Sequence, residues 1–383
     1  MAIWHLTVDG MRVSLEPWSN AEAVAAPWLE LESRALEPNA FLSPLFVFPA
    51  VRYLVSARTS PWLLTVRPVQ AATRWLLLAL VRPRAPRPRY PLPHLVSWRS
   101  PHSYLGGLLV DRDETERALH ALCAFLASPR TPWCGLFFDE IPGHGLFTRL
   151  QSRSSFGRPR WQWDRRAGRQ RARLVLQSLS ADSPPPWSGR DEKEYRRLWR
   201  RLSEQGALSW EYIPASALGP SHIEDFLRLE DQGWKQARAQ SLRARSGHEL
   251  FFREMVEGFR AAGRVFFCEL RLDGRPIASA NYLLAGEAGF AFKIGWDVRY
   301  AKFAPGILNE VAFVREVGRC CPQLRYIDSG AQSGSFIERL WPHRIELEDA
   351  VLVTGRTAVA LLPVLRGLRR LWRRYRPRRE PEA

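Results

Sequence analysis

Three strand-length runs follow one another almost without interruption: Val265 to Leu272, Pro276 to Leu284 and Gly289 to Trp296. The first two are joined through Asp273-Gly274, a pair that accepts the positive φ angles a tight hairpin turn requires. The spacing therefore predicts an antiparallel meander, and such a sheet needs apolar cover on at least one face. Helical patterns on both sides supply it. Upstream lie a helix over Glu192 to Glu204, a strand over Ser209 to Ile213, and a helix with the apolar stripe Ile223, Phe226, Leu227 and Trp234. Another helix carries Phe251, Met255 and Phe259 at i, i+4 and i+8. Downstream come a helix over Ile307 to Gly318, a short strand over Arg325 to Asp328, a helix over Phe336 to Leu340 and a strand over Ile345 to Val353. The predicted class is α/β (α+β), with a mixed, mainly antiparallel sheet flanked by helices.

The first half reads as mixed as well. Helices are predicted over Ala21 to Ala35 and Glu114 to Ala127, with strands near Trp62 to Arg67, Arg74 to Arg82, Gly135 to Phe138 and Ala172 to Gln177. No motif in it carries chemistry of its own. Pro-rich breaks fall at Pro83 to Pro93 and at Ser183 to Gly189, where Pro184, Pro185 and Pro186 run together. Taking the second as the boundary gives an N-terminal domain over 1–182, a linker over 183–189, a second domain over 190–355 and a basic C-terminal helix and tail over 356–383.

The net charge of +17 raises the question of a nucleic-acid or membrane partner. It is concentrated in two places. Residues 149–173 hold nine Arg against Asp164 alone, and residues 356–379 hold nine Arg and no acid, which leaves the rest of the chain neutral. A small-molecule enzyme with two basic appendages fits this distribution as well as a nucleic-acid protein does. Four of the 56 basic residues are Lys, a skew that fits codon bias better than selection for phosphate binding. The first basic segment, with Trp161 and Trp163 interleaved, is expected to be a solvated domain edge, or else a surface contacting RNA or a polyanionic glycan. The second has a stripe of Leu361, Leu365, Leu368, Trp372 and Tyr375, which reads as an amphipathic helix, docked on its own domain or lying on an anionic membrane surface.

The five cysteines, Cys123, Cys134, Cys268, Cys320 and Cys321, have no CxxC or Cys/His zinc spacing, so no metal is expected. Their odd number points to reduced thiols. Met1 to Gly10 lacks a signal-peptide pattern, and the longest apolar stretch, Trp75 to Val81, is too short to span a bilayer. A cytoplasmic protein, membrane-peripheral at most, is the expectation.

Along Gly289 to Asp297, Phe290, Phe292, Ile294 and Trp296 alternate with Ala291, Lys293, Gly295 and Asp297. If the aromatic set packs on the core, Lys293 and Asp297 project together from the other face, beside a glycine that leaves room for a ligand. The segment Arg299-Tyr300-Ala301-Lys302-Phe303-Ala304-Pro305-Gly306 then opens a helix, and a helix start offers N–H groups and a positive dipole end to an anion. Simple helix capping is the commoner reason for a Pro-Gly pair such as Pro305 and Gly306 at a helix start.

The runs Glu230-x-x-x-Trp234-Lys235, Gly274-x-Pro276-Ile277-Ala278, Lys293-Ile294-Gly295-Trp296-Asp297, Pro305-Gly306, Asp328-Ser329-Gly330 and Ile337-Glu338-Arg339-Leu340-Trp341-Pro342, in this order, carry a resemblance. Over roughly residues 190–355 the chain resembles the acetyltransferase domain of the BioF-like, CelD-like branch of the GNAT superfamily, related to the FemAB transferases. That resemblance implies two GNAT-like halves with the second catalytic, and a donor held where two neighbouring strands splay apart. Gly289 to Trp296 is then the splayed strand, Arg325 to Asp328 the strand beyond it, and Arg299 to Gly306 the phosphate loop, with one Gly where the family's loop typically has two small residues. It implies acetyl-CoA or another acyl-CoA as donor substrate, or an aminoacyl-tRNA as in the FemAB relatives. The acceptor would be a small molecule or glycan precursor of envelope, polysaccharide or cellulose biosynthesis.

Such transfer needs an acceptor amine or hydroxyl held near a thioester carbonyl, a base or water relay, and N–H groups to polarise the carbonyl. Glu230 sits on the stripe of Ile223 and Phe226 and should face inward, as a general base or as the ion-pair partner of Lys235 or an Arg. Asp328, at a strand end, is a second candidate for relay or acceptor orientation, or else caps the turn at Ser329 and Gly330. Tyr300 would protonate the leaving thiolate or anchor its loop. Lys293, Arg299, Lys302, Pro305 and Gly306 are the expected donor-binding residues, with a Lys293–Asp297 salt bridge as the alternative for Lys293. Trp234, Lys235, Asp297 and Trp341 are the expected acceptor contacts, the tryptophans being core residues otherwise. His248 and His343 show no partner pattern.

Overall fold

The computed structural model describes residues 4–18, 21–56, 59–85, 92–146, 161–176, 185–233, 238–361, 363–364 and 367. The first half contains β1 (Trp4–Val8), β2 (Met11–Pro17), α1 (Ala21–Ser33), α2 (Pro44–Leu54), β3 (Trp62–Pro68), β4 (Leu77–Arg84), β5 (His94–Ser97), β6 (Leu109–Val110), α3 (Thr115–Ala127), β7 (Gly135–Pro142) and β8 (Trp161–Val175). The second contains α4 (Gly189–Ser203), β9 (Leu208–Pro214), α5 (Pro220–Glu230), α6 (His248–Ala261), β10 (Val265–Leu272), β11 (Arg275–Ala285), β12 (Ala288–Trp296), α7 (Pro305–Cys320), β13 (Tyr326–Asp328) and β14 (His343–Thr354).

Local chemistry accounts for several boundaries. Asp273 and Gly274 both take positive φ, 49° and 73°, the backbone that closes the β10–β11 hairpin. Helix α2 starts at Ser43, whose side chain accepts the Leu45 N–H, with Pro44 in the first turn. Helix α4 starts at Ser188, which caps the Asp191 N–H, and it carries acids in its first turn and Arg200 and Arg201 in its last, complementing the helix dipole.

The fourteen strands of the described residues belong to one sheet, in the order β1-β2-β3-β4-β5-β7-β14-β8-β13-β12-β11-β10-β9, with β6 beside β4. Each half opens with a four-strand antiparallel meander, β1–β4 or β9–β12. Each also has one parallel junction, β5 with β7 and β12 with β13. The halves then exchange strands. β8 pairs with β13 of the second half, β14 pairs with β7 of the first, and β8 and β14 run side by side from His343↔Arg173 to Thr354↔Trp161. The two-halves expectation holds in this form, with long strands from either side of the 183–189 linker meeting at the centre.

This exchange corrects the reading of the first basic segment. Residues 161–175 are not an edge: they form the central strand β8, which is solvated only in its middle, at Arg165 and 167–170. Trp161 and Trp163 are buried, and Trp163 Nε1 donates to Glu348 at 2.7 Å. The arginines find acids on distant segments: Arg165 pairs with Glu348 at 2.7 Å and Arg169 with Glu140 at 2.5 Å, while the Arg173 guanidinium lies 4.0 Å above the Tyr326 ring. Residues 147–160 lie outside the described residues. At the C-terminus residues 356–361 are helical and Leu361 is exposed; Leu365, Leu368, Trp372 and Tyr375 lie outside the described residues. Among the described residues no helix is long and apolar enough to cross a membrane.

Helices cover both faces of the second-half meander. On one face Phe226, Phe251, Phe252 and Phe259 of α5 and α6 pack with Phe267, Phe290 and Phe292, together with α1 and α2 from the first half. On the other, α4 and α7 pack over Phe266, Cys268, Ala280 and Tyr282.

Arg171 ties these layers together. Its side chain is 4% exposed; it pairs with Glu140 at 2.7 Å and Asp328 at 3.4 Å, and it donates to the carbonyls of Tyr104 and Ala331. Arg171→Ala leaves Asp328 buried without its cation, a change expected to cost about 3–5 kcal/mol in urea unfolding. Arg197→Ala, which breaks a surface pair with Glu194, is expected to cost less than about 1 kcal/mol. Equal losses in the two variants contradict the central role of Arg171.

Candidate active site

The site is built on an irregularity in β12. The β11–β12 register pairs Asn281 with Lys293 but Tyr282 with Ala291, so Phe292 is an extra residue, a β-bulge. The strict alternation expected from sequence therefore breaks. Phe290 and Phe292 pack toward α2 and α6, with Phe292 stacked on Phe252 at 6.3 Å, whereas Ile294 and Trp296 pack with Ala291 on the α7 side. Lys293 follows Phe292 to the α5 face, where its ammonium lies 3.8 Å from Glu230.

The second feature is a splay. β13 pairs with β12 at only three positions, Ala288, Gly289 and Phe290. Beyond Asp328 the chain follows β8 instead, the Ser329 N–H donating to Ala172 O at 3.2 Å. Gly330 turns the chain there with φ +62°, and a Cβ at that position would lie 2.8 Å from Ala291 O. The opening between the strands is a cavity of about 1170 Å³. Ala291 to Ile294 of β12 and Ala280 to Tyr282 of β11 form its floor, with Glu310 of α7, Trp341 and the segment Ser329 to Ile337 around them. The first half supplies the opposite wall, including Arg82, Arg84, Arg99, Asp139 and Glu140.

Several polar atoms of the cavity-lining residues are buried without a hydrogen-bond partner: both amide atoms of Asn281, Glu310 Oε2 and Trp341 Nε1. Unmatched buried polar atoms are costly and rare, and in a cleft they indicate a ligand's position. Glu310 Oε1 accepts the Tyr282 hydroxyl at 2.8 Å. Burial pushes the Glu310 carboxyl up to about 7, against the lowering effect of that hydrogen bond. Burial also lowers Lys293 from the usual lysine range, although Glu230 opposes the shift. On the opposite wall Arg99 is engaged by Asp139 at 2.6 Å and Glu140 at 3.5 Å, and Ser97 Oγ donates to Asp139.

Lys293 and Trp341 line the cavity. Glu230 is buried, as its helical stripe requires; it ends α5, accepts the Leu242 N–H at 2.8 Å and has Lys293 as its cation. Asp328, at the end of β13, accepts the Gly330 N–H at 2.8 Å and pairs with Arg171, just behind the cavity-lining Ser329. Asp297 does not join Lys293: Arg299 holds it at 2.7 Å. Nor does Gly295 leave room for a ligand, because a Cβ there would lie 2.6 Å from the Glu230 backbone nitrogen. Its absent side chain admits the last turn of α5.

Tyr300 lies half-buried in a 3-10 turn, Val298–Phe303, beside the exposed Arg299 and Lys302. Pro305 and Gly306 open α7, where the Ile307 and Leu308 N–H groups bond to Ala304 O. Arg299, Tyr300, Lys302, Pro305 and Gly306 sit past the end of β12 and outside the cavity wall. Trp234 and Lys235 lie outside the described residues.

Sequence reasoning missed Glu310, Tyr282 and Asn281. A signal existed for the first: Asn309-Glu310 interrupts the run Leu308, Val311, Ala312, Phe313, Val314, and polar residues inside an apolar run are candidates for burial. It also missed the partner of His248, whose Nδ1 lies 2.9 Å from Nε2 of His102. His102 stacks on Phe251, and burial holds it well below the ordinary histidine range.

Residues 189–334 match the family model described as the acetyltransferase (GNAT) domain. Among curated proteins none matches the sequence significantly. Among solved structures, FemX aligns with TM-score 0.50 at 11% identity, covering 90% of this chain and 98% of its own. The C-terminal domain of a putative lysylphosphatidylglycerol synthetase from Agrobacterium fabrum aligns at 0.49 and 10% identity, covering 90% of this chain and 96% of its own. A tandem GNAT protein from the clavulanic acid biosynthesis pathway aligns at 0.41 and 14% identity, covering 89% and 98%. The FemX likeness extends the fold correspondence over both halves, and residues 189–334 carry the match to the acetyltransferase (GNAT) domain.

Proposed function

We propose that the protein transfers an acyl group from an acyl-CoA thioester to the amine or hydroxyl of a small acceptor, inside the cavity at the β12 bulge. The observation that carries this reading is the separation of β12 from β13 after Phe290, which turns the strand edge at residues 291–293 toward the cavity. A strand edge offers N–H and C=O groups that the amide-containing pantetheine arm can pair with as an added strand would. An N–H freed at the bulge can then polarise the thioester carbonyl. The diphosphate would lie past the end of β12, near the α7 N-terminus and the exposed Arg299 and Lys302.

A volume of about 1170 Å³ is larger than a typical ligand pocket and has space for an acceptor beside the donor's arm. The wall from the first half, with both arginines and carboxylates, suits a polar acceptor such as a glycan precursor. An aminoacyl-tRNA donor is less well supported, because the arginines of β8 that suggested an RNA surface are engaged with Glu140, Glu348, Asp328 and Tyr326.

Calorimetric titration with CoA and acetyl-CoA tests the donor. The unmodified protein is expected to bind both, and Lys302→Ala to weaken binding roughly three- to tenfold, or about 0.7–1.4 kcal/mol. Absence of binding by the unmodified protein, or transferase activity abolished by RNase, contradicts the acyl-CoA reading.

A further inference from the structure

The carboxylates first suggested by sequence are each matched by a cation, Glu230 by Lys293 at 3.8 Å and Asp328 by Arg171 at 3.4 Å. Neither carboxylate lines the cavity. Glu310 is placed differently. It projects from α7 among Leu308, Val311, Phe313 and Val314, all buried, and it lines the cavity. One oxygen accepts the Tyr282 hydroxyl at 2.8 Å; the other is buried and has no partner. A leucine or methionine would serve packing at this position without an unmatched oxygen. Tyr282 itself is fixed by stacking on Phe266 at 4.7 Å and contact with Phe313 at 4.6 Å, so its hydroxyl holds Glu310 in one orientation.

We propose that Glu310 is the proton acceptor of the transfer reaction, with Tyr282 as its positioning residue; the assignment rests on the acyl-CoA reading above. The acceptor's neutral amine or hydroxyl adds to the thioester carbonyl carbon, and its proton passes to Glu310 Oε2. As the tetrahedral adduct collapses, the carbon–sulfur bond breaks, and the thiolate of CoA takes the proton from Glu310 directly or through solvent. Acyl-S-CoA and H–X–R thus become acyl–X–R and CoA-SH, with Glu310 returned to its carboxylate. Burial keeps the carboxyl near the operating range for this exchange, at about 7. The group is therefore active as a base on the alkaline side of that value.

The test follows thiol release from acetyl-CoA, with water alone and with added glycerol as acceptors that do not themselves titrate between about pH 5 and 9. The unmodified protein should show a rate that rises through pH about 7. Glu310→Gln should lower it about 100-fold or more and remove that limb, with CoA affinity measured by calorimetry changed less than about twofold. Tyr282→Phe should keep the limb but displace it upward, because the lost hydrogen bond lowers the Glu310 carboxyl.

Stability supplies a readout independent of turnover. A carboxyl raised on folding contributes stability fully below its unfolded value of 4.5, and this is lost as pH rises through about 7. Unmodified protein should therefore lose thermal stability relative to Glu310→Gln across that window, and carboxyl NMR of the unmodified protein should show a midpoint near 7. A midpoint near 4.5, or an unchanged pH–rate profile in a Glu310→Gln protein that still binds CoA, overturns the assignment alone. No CoA binding and no thiol release by the unmodified protein overturns the acyl-CoA reading and this assignment together.

Discussion

The pairing of β8 with β14 is the interaction on which the rest of the structure depends. Each strand is contributed by one half of the chain and extends the sheet of the other, over a register running from His343↔Arg173 to Thr354↔Trp161. A strand so rich in arginine can occupy the middle of a sheet only if its charges are met, and Glu140, Asp328 and Glu348 come from β7, β13 and β14 to meet them. The same exchange shapes the cleft. By drawing the chain after Asp328 along β8, it separates that segment from β12 and ends the β12–β13 pairing at Phe290.

Two backbone irregularities then convert an opening into a site. The bulge at Phe292 turns two consecutive side chains to one face, so an aromatic anchor and Lys293 lie together while Ile294 and Trp296 pack toward α7. Gly330 lets the departing loop pass close to Ala291 O before the walls diverge. Floor and roof thus belong to the second half, and the far wall to the first. The tandem architecture has a chemical consequence here, since residues from both halves line one cavity.

Local patterns made much of the second half legible. The Asp273-Gly274 turn and the alternation beside it set β10, β11 and β12 to within a residue or so, because hairpin register is decided by neighbours in sequence. The inward direction of Glu230 followed from helical spacing. The hairpin β1–β2, helix α2 and the short strands β5 and β6 were not read, being brief runs stabilised by packing. Strand β8 looked like a basic surface because its acids lie in distant segments. The bulge was invisible because it is a property of two strands in register, and the ligation of Lys293 by Glu230 rather than Asp297 follows from it. Glu310 left a faint trace, a polar pair in an apolar helical run, whose meaning depends on a cavity that sequence does not show.

The central claim is that the β12 edge at residues 291–293, opposite Ser329 to Ser335, receives the thioester donor. Amide hydrogen exchange with and without CoA tests it most directly, because pairing along a strand edge protects the amides involved. The account predicts added protection at residues 291–296 and 329–335, with β1–β3 unchanged. Protection confined to the first half, or none at residues 291–296 under saturating CoA, would contradict it.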